Sequence, residues 1–182
     1  KLNEKKSDYE KQEDISCDCI CISGNWTPTV HLASQSGNKL KFDEKINSFI
    51  PNQSKQKEST IGSANGLFTL NNCLKEGFKK GSDLSKKITS KDSKISTPSS
   101  NERSYGQQDK FWCMPLPKNK SYKRCVDFQN DVYVSDIELA VREGFRSIEH
   151  VKRYTTLGMA TDQGRTSNLN GLQLVSNIEK KI

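Results

Sequence analysis

The sequence is short of apolar residues and has no long apolar run. Only 32% of its 182 residues are hydrophobic, and the mean hydropathy is −0.81. No run approaches the roughly 18 apolar residues of a membrane-spanning helix, and no signal-peptide pattern opens the chain. We therefore expect a cytoplasmic protein without a membrane partner. Because the first residue is Lys1 rather than Met, we expect an internal fragment.

The sequence also lacks the paired cysteines of a zinc site. Cys17, Cys19 and Cys21 alternate within the apolar run from Ile15 to Ser23, which predicts one buried strand with the three thiols on one face. A zinc site normally uses two Cys-x2-Cys pairs, and the chain has none. We expect reduced cysteines that pack as small hydrophobes, and no metal.

The sequence also has little histidine and no basic patch rich in arginine. The only histidines are His31 and His150, and neither has a nucleophile and a carboxylate at triad spacing, so we expect no catalytic residue here. The net charge of +7 comes mostly from lysines. A lysine ammonium group is a solvated point charge, whereas the planar guanidinium group of arginine is suited to bidentate phosphate binding. We therefore do not expect nucleic acid as a partner, although a non-enzymatic basic adaptor stays open as an alternative.

The first half of the chain predicts short strands and one helix. Leu40 and Phe42 alternate with lysines and indicate a strand, and Phe49-Ile50-Pro51 indicates another. A small-residue loop from Gly62 to Gly66 leads into a helical pattern that Gly77 and Gly81 should end. Residues 82–109 are rich in Ser and Lys, which predicts a disordered linker.

The last part predicts three short helices. Ser135 and Glu138 fit a capping box, with Gly144 past the helix end. Ser147 can cap a second helix that stops near Gly158, and Ser167 or Asn168 can cap a third. Helices this short must pack on one another to be stable.

Several segments together carry a family resemblance. Residues 23–37, 41–44, 62–70 and 126–168, taken in this order, resemble the α subunit of heterotetrameric sarcosine oxidase. The resemblance implies an α+β fragment in four parts. These are the C-terminal remnant of a two-dinucleotide-binding, disulfide-reductase-like domain at 1–81, the linker at 82–109, a small helical module at 110–171, and the beginning of a folate-binding domain at 172–182.

The helical module further resembles the [2Fe–2S] domain of the bacterioferritin-associated-ferredoxin type. That pattern needs four cysteine thiolates, and the matching positions here hold Asp127, Gln129, Asp162 and Ser167. Oxygen-bearing side chains cannot replace four thiolates, so the resemblance implies a module that has kept its packing and lost its cluster.

The resemblance also implies cofactors and partners. NAD in the α subunit would lie at Gly62, Leu67 and Thr69, while FMN and FAD belong to the complex and tetrahydrofolate to a C-terminal domain. A flavin phosphate or the β subunit would meet a second set of polar side chains, namely Lys152, Arg153, Thr155, Thr156, Gln163, Arg165, Thr166 and Ser167. The β, γ and δ subunits would be the partners.

The implied activity is the oxidative demethylation of sarcosine to glycine, with hydrogen peroxide formation and one-carbon transfer to tetrahydrofolate. This segment would complete the NAD site and bridge to the flavin-bearing β subunit, and it would not be catalytically competent alone. A related opine or glycine dehydrogenase subunit is the alternative, although the module in that class normally keeps its cysteines.

Overall fold

The computed structural model describes residues 15–19, 21, 26–90, 95–102, 112–116 and 121–180. They form two compact units, one within residues 20–109 and one within residues 1–19 and 110–182. Among the described residues, each unit holds one two-stranded antiparallel sheet. The mixed α+β class expected from the sequence is confirmed.

The first unit contains a β-hairpin. Strand β1 is Lys39–Asp43 and strand β2 is Ser48–Gln53, so both predicted strands are confirmed. Phe42 pairs with Phe49 across the hairpin, and their rings meet edge to face with centroids 5.3 Å apart. A short helix, α1 (His31–Gln35), precedes it and ends in a turn at Ser36 and Gly37.

The predicted strand from Ile15 to Ser23 is wrong for the residues described. Ile15 is 76% exposed, and Cys17, Cys19 and Cys21 are exposed without strand structure. An apolar run becomes a buried strand only when another strand pairs with it. No strand in the described part of the chain does so.

Helix α2 is longer than predicted. It runs over Leu70–Thr89, past Gly77 and Gly81 and eight residues into the expected linker. A glycine inside a helix costs only about 1 kcal/mol, and Leu84 and Ile88 continue the apolar spacing. Ser90 ends the helix in a left-handed conformation. Residues 82–89 are therefore helical rather than disordered, and residues 95–102 follow without regular structure.

The second unit packs three helices on a small hairpin. Strands β3 (Cys125–Asp127) and β4 (Val132–Tyr133) precede α3 (Val134–Arg142), α4 (Ile148–Thr155) and α5 (Asn168–Glu179), and all three predicted helices are confirmed. The buried core is one cluster of small and branched side chains: Val126, Val132, Val134, Ile137, Ala140, Val151, Leu157, Leu174 and Val175.

Residues at both ends of helix α3 determine where the helix begins and ends. The capping box predicted at Ser135 and Glu138 is wrong, because the helix begins at Val134 and the Asp136 carboxylate accepts from the Tyr133 amide at 2.8 Å. Gly144 lies just past the end with φ +98°, as predicted. The Phe145 amide donates to the Ala140 carbonyl at 3.0 Å, which closes the helix in a Schellman motif.

Candidate functional site

The loop predicted to meet NAD is a one-turn 3₁₀ helix at Gly62–Asn65. Gly62 has φ +66° and Gly66 has φ +84°, a left-handed backbone that favours glycine. The Glu76 carboxylate of α2 accepts from the Gly62 amide at 2.6 Å and from Asn65 Nδ2 at 3.0 Å. The loop is thus tied to the helix it leads into, and the Gly62 N–H is engaged.

The start of α2 is capped from two sides. Thr69 is the N-cap, and its hydroxyl accepts from the Asn72 amide at 3.4 Å. The Glu102 carboxylate accepts from the Leu70 amide and, at 3.4 Å, from the Asn71 amide. The chain's own groups therefore occupy the helix-start amides, which could otherwise bind an anion.

The predicted NAD residues Gly62, Leu67 and Thr69 follow one another along this loop. The Leu67 carbonyl accepts from Cys73 Sγ at 3.0 Å, and a side chain on Gly62 would lie 3.7 Å from the same sulfur. Space is therefore not what restricts position 62. The left-handed backbone restricts it, and any replacement at Gly62 would be strained without a ligand present.

A buried carboxylate organises the helical module. Asp127 is 2% exposed. Its Oδ1 accepts from the Gln129 amide at 2.9 Å and the Asn130 amide at 3.3 Å, and its Oδ2 accepts from the Gly158 amide at 2.7 Å and the Ser167 hydroxyl at 3.3 Å. The hairpin, the loop after α4 and the start of α5 are thereby joined through one side chain.

Asp162 organises the same loop from its outer side. Its carboxylate accepts from the Gly164 amide at 3.0 Å, and from the Thr166 amide and hydroxyl at 3.1 and 2.8 Å. Hydrogen bonding, first from the Thr166 hydroxyl and then from backbone amides, holds the pKa of the Asp162 carboxyl below its usual value. The carboxylate form is the one that fits this loop.

Two glycines close the loop around Asn168. Gly158 and Gly164 both have left-handed backbones, and a methyl group on either would overlap the Asn168 side chain. Asn168 Nδ2 donates to the Gln163 carbonyl at 3.2 Å. Within the described residues its Oδ1 is buried without a hydrogen-bond partner. The close approach therefore depends on the absence of a side chain at both positions.

Of the four positions expected to match cluster ligands, the structure brings Asp127 and Ser167 into contact. Gln129 is exposed and takes part through its backbone amide, and Asp162 bonds to its own loop. All four carry oxygen or amide groups, and both aspartates already accept hydrogen bonds from the chain. The residues present do not fit an iron–sulfur cluster.

Most members of the second predicted set bond internally. The hydroxyls of Thr155, Thr156 and Thr166 and the amide of Gln163 bond to neighbouring carbonyl or carboxylate groups. Ser167 is completely buried against Asp127. Lys152 is half-buried, whereas Arg153 and Arg165 are exposed and form no ion pair within the described residues. These two guanidinium groups are the best placed to meet a phosphate or a partner.

The remaining thiols lie near a cleft of about 340 Å³ in the second unit. Its lining includes Cys113 and Cys125, and Arg124 Nη1 donates to Cys113 Sγ at 3.1 Å. Burial raises the pKa of the Cys125 thiol. Among the residues described, no group of three or more His, Cys, Asp or Glu side chains could hold a metal ion.

Sequence reasoning missed three residues that shape these sites. Glu76 contacts the Gly62 amide from 14 residues away, and Glu102 contacts the start of α2 from 32 residues away. No local pattern therefore marks either residue. Asn168 was predicted only as a possible helix cap, and its role between two glycines depends on the tertiary fold.

The chain is related to subunits of a known oxidoreductase. Residues 121–182 match the sarcosine oxidase A3 domain family. The sarcosine oxidase subunit alpha of Rhizobium meliloti (strain 1021) is 34% identical over 91% of this chain, and that of Corynebacterium sp. (strain U-96) is 29% identical over 96%. The resemblance to the sarcosine oxidase α subunit expected from the sequence is thereby confirmed.

The match covers a small part of those relatives. The chain spans 17% and 18% of their lengths. A crystal structure of L-proline dehydrogenase from P. horikoshii is similar in fold, with a TM-score of 0.57 and 21% identity over 86% of this chain and 33% of that one. Within the described residues, no helix is long and apolar enough to cross a membrane.

Proposed function

We propose that this chain is a segment of a sarcosine oxidase α subunit that completes an NAD site and bridges to a flavin-bearing β subunit. The observation that supports this most is the similarity to sarcosine oxidase α subunits over about nine tenths of the chain. The proposed role is one of binding and assembly, because most polar groups of the module are engaged in its own structure and the exposed Arg153 and Arg165 remain to contact a partner.

The helical module is proposed as a cluster-less bridge. In ferredoxin-type relatives, cysteine ligands to a cluster would tie its loops together. Here Asp127 does so by accepting four hydrogen bonds, one of them from Ser167. The packing would then persist without electron transfer, which leaves the module free to serve as a contact surface.

The NAD site is proposed at Gly62, Leu67 and Thr69. Left-handed glycines at 62 and 66 let the backbone come close to a flat ligand, and the start of α2 favours anions. NAD, when bound, would supply a hydride-accepting nicotinamide. The residues of this chain would hold it through the loop backbone and the Thr69 hydroxyl, once the Glu76 and Glu102 carboxylates release their amides.

The bridge to the β subunit is proposed at the surface around α4 and the following loop. Arg153 and Arg165 are exposed. A guanidinium group can bind a phosphate through two parallel hydrogen bonds, in a bidentate arrangement. Lys152, Thr155, Thr156, Gln163, Thr166 and Ser167 would position this surface rather than bind directly. The reaction of the whole complex is sarcosine oxidation with FMN, FAD and tetrahydrofolate, and it would also need the γ and δ subunits.

The NAD assignment is tested by replacing Thr69 in the full-length complex. Thr69→Val removes one neutral hydrogen-bonding group, worth about 0.5–1.5 kcal/mol, so we expect a several-fold weaker NAD site with the flavin on the β subunit unchanged. Thr69→Ser keeps the hydroxyl and serves as the matched control. NAD is quantified after denaturation and release.

The outcome also separates the rival functions. Equal NAD content in wild type and Thr69→Val would remove Thr69 from the site. A complex that never contains NAD would contradict the proposed function. In that case a basic adaptor would show salt-sensitive binding to polyanions, whereas a related opine or glycine dehydrogenase subunit would oxidise its own substrate.

A further inference from the structure

The first turn of α2 is closed by a segment that follows the helix in sequence. The Glu102 carboxylate accepts from the amides of Leu70 and Asn71, and Asn71 Oδ1 accepts from the Ser100 amide at 3.3 Å. Glu102 is 32 residues from Leu70 in sequence. Residues 95–102, which we call the strap, therefore return to the beginning of the helix that precedes them.

The strap fills the position in which an anion would bind. Amides at a helix start point outwards and carry partial positive charge, so they attract phosphate and carboxylate groups alike. With Glu102 on Leu70 and Asn71, and Thr69 on Asn72, the first three amides are all engaged. A phosphate or ribose oxygen can reach the first two only if the Glu102 carboxylate moves away.

The strap is not packed like a permanent core element. Ser100 Oγ is buried, and among the described residues it has no hydrogen-bond partner. A buried hydroxyl without a hydrogen-bond partner costs free energy. This cost offsets part of the stabilisation that the other contacts of the strap provide. Glu102 itself is exposed, which leaves it free to exchange its amide contacts for water.

We propose that the strap is an autoinhibitory element, in which the Glu102 carboxylate occupies the anion position at the start of α2 and must leave before a dinucleotide binds. The inference rests on the proposed NAD site at Gly62, Leu67 and Thr69. The apparent dissociation constant of such a site equals its intrinsic value divided by the fraction of molecules with the strap open. Removing the Glu102 carboxylate raises that fraction and tightens binding.

The test is a titration of the full-length complex with NAD after its bound nucleotide has been removed. We expect Glu102→Ala to bind NAD roughly three- to tenfold more tightly than wild type, the range for a strap that is open in a minority of molecules. Asp83→Ala removes the same charge from an exposed position further along α2 and should leave the affinity unchanged. Glu102→Gln, which keeps the shape, should fall between Glu102→Ala and wild type.

A second readout does not depend on affinity. Hydrogen exchange of the Leu70 and Asn71 amides should accelerate in Glu102→Ala without nucleotide, and NAD should restore their protection. In wild type, NAD should make residues 95–102 exchange faster while these two amides stay protected.

The outcomes separate the inference from the proposed function. Equal or weaker NAD binding by Glu102→Ala, with NAD still bound by wild type, overturns the strap and leaves the NAD site intact. The absence of NAD binding in wild type and in every variant overturns the NAD site, and the strap with it.

Discussion

Ser167 donates its hydroxyl to the buried carboxylate of Asp127 across 40 residues of sequence, at 3.3 Å. Both side chains lie in the interior of the helical module, at 0% and 2% exposure. A charged group is buried at low cost only when hydrogen bonds satisfy it, and Asp127 has four. The pair stands at two of the four positions where the ferredoxin resemblance would place cysteine ligands, and a polar network joins these two positions in the structure.

The first prediction concerns the contribution of the Asp127–Ser167 hydrogen bond to the free energy of unfolding. Asp127→Ala leaves the Gly158 amide and the Ser167 hydroxyl without their acceptor, so we expect a loss of about 3 kcal/mol or more in unfolding free energy, at about 1–3 kcal/mol per orphaned donor. Ser167→Ala should cost about 1 kcal/mol. In a double-mutant cycle followed by urea denaturation, the coupling should be about 1–2 kcal/mol. Strictly additive losses would mean that the two side chains do not interact.

The second prediction concerns the close approach of Gly164 to Asn168. Gly164→Ala needs both a left-handed alanine and space that Asn168 occupies, so we expect a loss of roughly 2–5 kcal/mol. Gly144→Ala is the matched control, because that backbone is also left-handed but the added methyl group meets nothing within 4 Å. It should cost only about 1–2 kcal/mol.

Combining Gly164→Ala with Asn168→Ala should recover the steric part of that loss. The comparison is made by thermal unfolding of wild type, Gly164→Ala, Gly144→Ala and the Gly164→Ala/Asn168→Ala double variant. If Gly164→Ala and Gly144→Ala were equally destabilising, Asn168 would not be in contact with the loop as described.

The third prediction is a pH dependence at Asp162. Its pKa is lower in the folded protein than its usual value of 3.8. Near that pH the unfolded chain binds more protons, so stability rises with pH. The contribution is complete above about pH 5 and is lost as the pH falls through the folded-state pKa.

Denaturation midpoints measured between pH 6 and pH 3 should therefore show a gap between wild type and Asp162→Asn that narrows on acidification. Asp83→Asn, at an exposed position of α2, is the matched control for the change of charge. A gap that widened towards pH 3 would contradict the assigned hydrogen bonds.

The fourth prediction tests the length of α2 through the sign of one substitution. Gly81 lies in the helix interior with nothing within 4 Å of an added methyl group. Gly81→Ala should therefore stabilise the chain by about 1 kcal/mol and increase its helical circular dichroism. If the helix ended at Gly81 in a left-handed residue, as the sequence first indicated, the same change would destabilise it.

The local patterns of the sequence predicted the elements that depend on nearby residues. The hairpin strands, the three helices of the module and the turn at Gly144 all follow from alternation, helical spacing and glycine at a helix end. The segment from Ile15 to Ser23 had an equally apolar pattern, yet strand formation depends on a pairing partner that local sequence does not specify.

The candidate sites depended even more on distant contacts. The family resemblance selected Asp127 and Ser167 as a pair of positions, but their hydrogen bond requires the loop after α4 to pack on β3. Glu76 and Glu102 carry no local signal, because the residues around them do not distinguish them from other glutamates of the chain. Their contacts with the Gly62 and Leu70 amides arise from the path of the folded chain.

Iron and acid-labile sulfide analysis of the purified full-length complex tests the central claim most directly. We predict that the protein containing this chain has neither in stoichiometric amount, and that Asp127→Ala destabilises the module without any change in metal content. Stoichiometric iron together with acid-labile sulfide, lost on substitution of Asp127 or Ser167, would contradict the account of a module held together by a buried carboxylate.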